Sequence, residues 1–264
     1  MPVLFSTPPS MTEVSTHYCP GCTHGVIHRL VGETLDELHL SERAVGVAPV
    51  GCSVLIYHYI NIDFQEAAHG RAPAVATGVK RARPDLFVFT YQGDGDLASI
   101  GTNEILHAAN RGEKFTAIFA NNAIYGMTGG QMAPTTLPGQ VTTTSPAGRD
   151  PAKVGYPLRM CEILATLQTP AYIVRSAVHT PQLIVQTKQA IRRAFQLQME
   201  NRCFTFIEVL STCPTNWGMS PVKAVQWLQE KMVPYYPLGV FKDPDLMGGQ
   251  GSSVPISRRT LRAD

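Results

Sequence analysis

The chain has 264 residues, 44% of them hydrophobic and 16% charged, with a formal net charge of +2. That length suits one large α/β domain or two small ones, and the charge fraction lies below the roughly 25% usual for soluble domains, as in a subunit that buries surface against partners or a domain with a large core. No basic run marks a nucleic-acid footprint, no stretch approaches the roughly 18–20 apolar residues of a membrane helix, and the start, MPVLFSTPPSMTEVS, lacks a basic segment followed by an apolar one, so no secretory leader is expected and the cytoplasm is the expected compartment.

Along the chain, Cys19-Pro20-Gly21-Cys22 comes first. Residues 24–40 then carry Val26, Ile27, Leu30, Val31, Leu35 and Leu38 at helical spacing. Residues 44–50 read as a buried strand that runs into Cys52. His69-Gly70-Arg71-Ala72-Pro73 opens a helix over 72–83, and a strand at 86–91 leads into Gln92-Gly93-Asp94-Gly95-Asp96 and a helix over 97–110. A strand at 115–121 ends at Asn122. Residues 123–150, rich in Gly, Thr, Pro and Met, show no period; a loop of that length is usually functional or disordered. A helix over 153–167, a strand at 171–176, a helix over 181–199 and a strand at 203–210 complete the pattern, with Thr180-Pro181 as a helix start. From 237 the composition turns Gly/Pro/Ser-rich, so the division is one domain, 1–236, and a tail, 237–264, extended or docked on a neighbour. No internal repeat is present.

Strands alternating with helices predict an α/β fold with a mostly parallel, doubly wound sheet. Right-handed crossovers put the strand-to-helix loops at one edge, where ligands of such folds bind. Cys52, the glycines at 93 and 95, Asn122 and Cys213 each follow a strand, so the chemistry should gather there.

Glycines at 93 and 95 let the backbone approach a phosphate, and the helix near 97 offers free N–H groups to an anion. Asp94 and Asn122, 28 positions apart and on adjacent loops, can hold a hard divalent cation that bridges to phosphate. Taken alone, Gly-Asp-Gly is also a tight turn with an N-capping Asp. In Tyr125-Gly126-Met127-Thr128-Gly129-Gly130-Gln131 the threonine and glycines suit an anion-cradling loop. Cys19 and Cys22 form a C-x-x-C pair that fits zinc, redox or iron–sulfur chemistry; Cys52 and Cys213 are available to close the site, whereas Cys161 and Cys203 sit within helix and strand patterns and read as core. His69 and His24 read equally as site residues or as hydrogen-bonded structural histidines.

These features resemble the thiamine-diphosphate-binding β subunits of 2-oxoacid:ferredoxin oxidoreductases, over roughly residues 15–220. The carrying motifs are GDG followed by NN, Y-x-x-T-G-G-Q, and the set C-P-x-C, G-C-S and C-P. The resemblance implies Mg²⁺ held by Asp94, Asn122 and the carbonyl of Ile124. It places Gly93, Asp94, Gly95, Asp96, Asn122, Thr128 and Gly129 against thiamine diphosphate, and a [4Fe–4S] cluster on Cys19, Cys22, Cys52 and Cys213. It puts His69 and Arg71 near the cofactor, and Met127 where pyruvate-type members carry Asn. With Leu55 standing where some relatives have a basic residue, this leans toward branched-chain or broad 2-oxoacids, 2-oxoglutarate remaining open. The implied reaction is coenzyme A-dependent oxidative decarboxylation, with electrons passing through the cluster to ferredoxin. The glutamate that activates the aminopyrimidine would come from an α subunit carrying the pyrimidine-binding half, with small γ and ferredoxin-like δ subunits also expected; Glu66 and Glu104 are local carboxylates without support. A non-oxidative thiamine enzyme subunit and a zinc-stabilised binding module are the rival readings.

Overall fold

The structure, a computed structural model, describes residues 6–246. The apolar runs form strands, joined by two that the sequence pattern does not mark: β1 (Ala44–Ala48), β2 (Asp63–Glu66), β3 (Phe87–Gly93), β4 (Thr116–Asn121), β5 (Ala171–Ala177), β6 (Phe204–Leu210) and β7 (Gly239–Lys242). They make one sheet in the order β2-β1-β3-β4-β6-β5-β7. The first six strands are parallel, and β7 adds antiparallel to β5. Strands β4, β5 and β6 are buried along their whole length, which is why they read as continuous apolar runs.

The helices are α1 (His24–Glu37), α2 (Ala72–Ala82), α3 (Thr102–Arg111), α4 (Pro151–Val154), α5 (Met160–Ala165), α6 (Pro181–Met199), α7 (Pro214–Trp217), α8 (Pro221–Trp227) and the single turn α9 (Val233–Tyr235). α1 and α6 pack on one face of the sheet, with Ile27, Leu35, Ile191 and Phe195 in that core. α2, α3 and α5 cover the other face through Ala76, Ile105 and Met160. The doubly wound arrangement read from the sequence is therefore the one observed. Among the described residues, no helix is long and apolar enough to cross a membrane.

Several boundaries differ from the sequence pattern, each for a physical reason. β2 is an edge strand whose residues Asp63, Gln65 and Glu66 are exposed, so it offers no apolar run. The expected helix over 153–167 is broken at Gly155, which has φ +76°, and at Pro157, leaving α4 and α5. The expected helix at 97 begins as one wide π turn, Asp96–Ile100, before α3. The division at 237 is also corrected. β7 pairs with Ile173–Arg175 of the chain's own sheet, and Lys242 Nζ donates to the carbonyls of Leu167 and Thr169. Residues 239–242 thus belong to the domain; residues 247–264 of the expected tail lie outside the described residues.

Candidate cofactor and metal site

The loops after β1, β3 and β4 open on one cavity of about 330 Å³, lined among others by Cys52, His69, Asp94, Asn122, Ile124 and Met127. Gly93, Gly95 and Thr128 complete the wall on the side of β3 and β4. No Lys, Arg or Glu lines this cavity among the described residues.

Three oxygens converge at the junction of β3 and β4. The amide oxygen of Asn122 stands 2.6 Å from Asp94 Oδ2 and 2.7 Å from the Ile124 carbonyl oxygen. Turned over, the amide would place its nitrogen there and donate to both, the arrangement that closes the site without a cation. With the amide oxygen inward, its separations from the other two oxygens would come near the roughly 2.9 Å between neighbouring corners of an octahedral magnesium shell. Asp94 Oδ2 also accepts from the backbone N–H of Asn122 and of Ile124, both at 3.2 Å. Its Oδ1 is buried without a hydrogen bond of ordinary geometry; the Thr135 hydroxyl is the donor close enough to favour its charged form. A poorly satisfied buried carboxylate oxygen is costly, and burial pushes the Asp94 carboxyl up to about 7. A carboxylate buried in this way would gain from a positive partner.

The backbone there is held in an unusual shape. Ala123 is fully buried with φ +58°, a left-handed conformation costing roughly 1–2 kcal/mol for a residue with a Cβ. Asn121 Oδ1 accepts from Ala123 N at 3.1 Å, while Thr136 Oγ1 and Gln140 Nε2 donate to its carbonyl at 2.7 and 3.1 Å. Asn121 Nδ2 donates at 2.7 Å to Glu208, itself paired with the buried Arg175 at 2.9 Å. The long loop over 123–150 is accordingly a packed wall. The Arg149 guanidinium holds it by donating to the carbonyls of Ala133, Pro134, Thr136 and Gly155.

The four expected cysteines also gather at this edge. Each lies within the electrostatic reach of the other three. A Cβ on Gly126 would stand 3.1 Å from Cys52 Sγ and 3.5 Å from Cys213 Sγ, so the 125–131 loop lies close against both sulfurs and a side chain there would crowd Cys52. Burial pushes the Cys22 thiol up to about 12 and the Cys52 thiol up to about 11, and it raises Cys213, with Asn216 pulling Cys213 the other way. A crowd of desolvated thiols without a cation among its leading influences suits a site completed by metal. Sulfurs around a single zinc, at about 2.3 Å from the ion, would stand roughly 3.8 Å apart. Among the described residues no three His, Cys, Asp or Glu side chains converge to hold one ion, and a multi-iron core spans a wider gap. Cys161 and Cys203 are buried in the core as expected.

A hydroxyl latch joins the cysteine loops. Thr23 Oγ1 meets Ser211 Oγ at 2.7 Å and accepts from Thr212 N at 3.1 Å, while Thr212 Oγ1 donates to Gly21 O at 2.7 Å. Gly21 has φ +79°, and a Cβ there would meet Pro221 of α8 at 2.5 Å. The latch therefore fixes the 19–22 turn against both the end of β6 and α8.

Residues 49–209 match the family profile described as "Thiamine pyrophosphate enzyme, C-terminal TPP binding domain". The 2-oxoglutarate synthase subunit KorB of Methanocaldococcus jannaschii is 35% identical over 82% of this chain and 78% of its own length. The chain belongs to the family of thiamine-diphosphate-binding subunits of 2-oxoacid oxidoreductases. It is also 53% identical to the ketoisovalerate oxidoreductase subunit VorA of Methanothermobacter thermautotrophicus, over 87% of this chain. The chain spans about half the length (48%) of that relative. Among solved structures, the 2-oxoglutarate:ferredoxin oxidoreductase of Magnetococcus marinus, with 2-oxoglutarate, coenzyme A and succinyl-CoA bound, aligns with a TM-score of 0.74 at 25% identity. That alignment covers 96% of this chain and 87% of the other.

Several residues expected at this subunit's site have protein partners of their own. Asp96 lines the cavity and also ties its loops together. Its Oδ1 accepts from Val50 N at 3.0 Å, Gly70 N at 2.9 Å and His69 Nδ1 at 2.8 Å, and its Oδ2 from Gln92 Nε2 at 2.6 Å. Arg71 turns away from the cavity, because Glu104 holds its guanidinium at 2.5 Å. His69 does line the cavity, and Asp96 fixes its Nδ1, leaving the other ring nitrogen for a ligand. Met127 is half exposed at the mouth. Thr128 lines the wall, while its hydroxyl bonds Gln131. Gly129 lies in the same turn without lining the cavity. His24 lines the floor but bonds Tyr91 OH at 2.7 Å, and burial lowers it to about 4, so it stays neutral. Sequence reasoning missed Asn216 and Trp217. The available signal was Cys213-Pro214, since Pro at a first helical position turns residues three and four later back toward the cysteine.

Proposed function

We propose that this subunit carries the diphosphate half of a 2-oxoacid:ferredoxin oxidoreductase that converts a branched-chain 2-oxoacid, coenzyme A and an oxidised acceptor to acyl-CoA, CO₂ and reduced acceptor. The observation that carries this reading is that the Asp94–Asn122–Ile124 oxygens and four cysteines share one sheet edge, with the 125–131 loop between them. Thiamine diphosphate supplies the electron sink that decarboxylation of a 2-oxoacid requires. Asp94, Asn122 and the Ile124 carbonyl would hold Mg²⁺ against its diphosphate, with the backbone at Gly93 and Gly95 giving close approach. Cys19, Cys22, Cys52 and Cys213 would hold a [4Fe–4S] cluster that takes electrons one at a time. His69, steadied by Asp96, would donate to or accept from the substrate or diphosphate through its second ring nitrogen.

Val50, Ile100 and Met127 line the cavity and no Lys or Arg does, so a second substrate carboxylate would lack a cationic partner while an apolar side chain would be accommodated. The relative named for ketoisovalerate supports the same class. The absence of Glu from the cavity lining supports a partner chain that supplies the carboxylate for the aminopyrimidine, with γ- and δ-type subunits and ferredoxin completing the cytoplasmic assembly. The test is coenzyme A-dependent reduction of a one-electron acceptor by the assembled complex, comparing 3-methyl-2-oxobutanoate with 2-oxoglutarate. Higher kcat/KM for the branched acid is expected; a preference for 2-oxoglutarate would overturn the substrate assignment.

A further inference from the structure

One short turn touches both halves of the site. Helix α7 starts at Pro214, directly after Cys213. Asn216 Nδ2 donates to the Gly126 carbonyl at 2.9 Å and to Cys213 Sγ at 3.3 Å. One amide group thus spends one proton on the loop backbone and the other on a sulfur. Its Oδ1 packs so closely under Gly130 that a Cβ there would lie 3.1 Å away. The next residue reaches the oxygen site: Trp217 Nε1 donates to the Asn122 carbonyl at 3.2 Å. Its ring is braced by Trp227, with centroids 4.5 Å apart.

We propose that Asn216 is a positioning residue that couples the cysteine site to the 125–131 loop over the thiamine diphosphate, so that a change at one is felt at the other. The inference rests on the reading that Cys213 ligates a cluster and that this loop flanks the cofactor. A hydrogen bond to a cluster sulfur stabilises the more negative, reduced state and raises the potential. The same amide fixes the Gly126 carbonyl, and with it the turn closed by Gly130 N donating to Tyr125 O at 2.9 Å. Shifting charge on the sulfur therefore pulls on the loop, and anchoring the loop orients the donor toward the sulfur.

The experiment compares wild type with Asn216→Ala and the near-isosteric Asn216→Asp, purified anaerobically with the subunits that accompany the chain. Four readouts are taken: iron per chain, the Kd of Mg²⁺–thiamine diphosphate, the midpoint potential, and amide hydrogen exchange over residues 125–131. Asn216→Ala is expected to keep its iron and weaken thiamine diphosphate about fivefold, the usual effect of one lost neutral hydrogen bond. It should also speed exchange in the loop and lower the midpoint potential. Asn216→Asp should lower the potential further, since a carboxylate replaces the donor. Unchanged exchange and Kd in both variants would overturn the coupling, as would loss of iron from both, which would make Asn216 a prop of the cysteine site alone. Wild type lacking iron would sink the cluster reading instead, and the loop exchange, which needs no iron, would still decide whether Asn216 anchors the loop.

Discussion

The oxygen site and the sulfur site stand at the same sheet edge but are assembled differently. The oxygens come from residues just past two neighbouring strands, β3 and β4, whose pairing of Gly93 with Ala120 sets Asp94 near Asn122. The sulfurs come from loops at 19–22, 52 and 213; the first and last meet through a hydroxyl latch, with Pro221 packed on the first, and Gly126 lies against the Cys52 and Cys213 sulfurs. The first site is local to the sheet; the second depends on contacts between residues almost 200 positions apart. The oxygen site should therefore survive damage to the sulfur site apart from what Asn216 transmits, and damage to the oxygen site should leave the iron in place.

The largest expected effects separate the two regions. Cys52→Ala should empty the sulfur site of iron and abolish acceptor reduction while leaving Mg²⁺–thiamine diphosphate affinity within about the fivefold of one lost hydrogen bond; iron analysis and calorimetry on one preparation check this. Asp94→Ala should weaken Mg²⁺–thiamine diphosphate by at least about 100-fold, beyond the usual range for outer-shell partners, with iron content unchanged. Retained affinity would remove Asp94 from the metal site.

Next in size is the support beneath the oxygen site. Glu208→Gln removes one of the two carboxylates paired with Arg175, leaving Glu162, and weakens the grip on Asn121. Breaking a buried pair of this kind costs about 3–5 kcal/mol, so denaturant unfolding should show a loss of that order. A loss under about 1 kcal/mol, the worth of an exposed pair, would mean the network is not a support.

The pH dependence is smaller and has a definite sign. Asp94 is raised from 3.8 to about 7 in the metal-free protein. The folded chain therefore holds a proton there that the unfolded chain releases, and the stabilisation from it is lost as pH rises from about 4 through 7. Magnesium must displace that proton, so its affinity should fall up to about tenfold per unit below pH 7 and level off above. Titration calorimetry with Mg²⁺ and thiamine diphosphate checks this; affinity constant down to about pH 5 would contradict it.

How much of this was legible follows the same division. The strand ends, and with them the placing of Asp94 near Asn122, were readable because a buried parallel strand leaves an unbroken apolar run and a fixed exit point, as at Gly93 and Asn121. β2 and β7 were not, because edge strands need no such run. The left-handed Ala123 was hidden, since nothing in an alanine announces a positive φ held by Asn121, Thr136 and Gln140. The engagement of Asp96 and Arg71 with protein partners was hidden too, because those partners, at Val50, Gly70 and Glu104, are set by tertiary packing. Asn216 was overlooked for the opposite reason, since a short turn after the last cysteine is local and its proline marked it.

The central claim is that one chain presents a metal–diphosphate site and an iron–sulfur site at one sheet edge. The most direct measurement is iron, acid-labile sulfide, zinc and bound thiamine diphosphate per chain on anaerobically purified protein. The account predicts about four irons and four sulfides on the four cysteines, no stoichiometric zinc, and one thiamine diphosphate lost with Mg²⁺ chelation. Stoichiometric zinc, or no iron after anaerobic reconstitution, would contradict it.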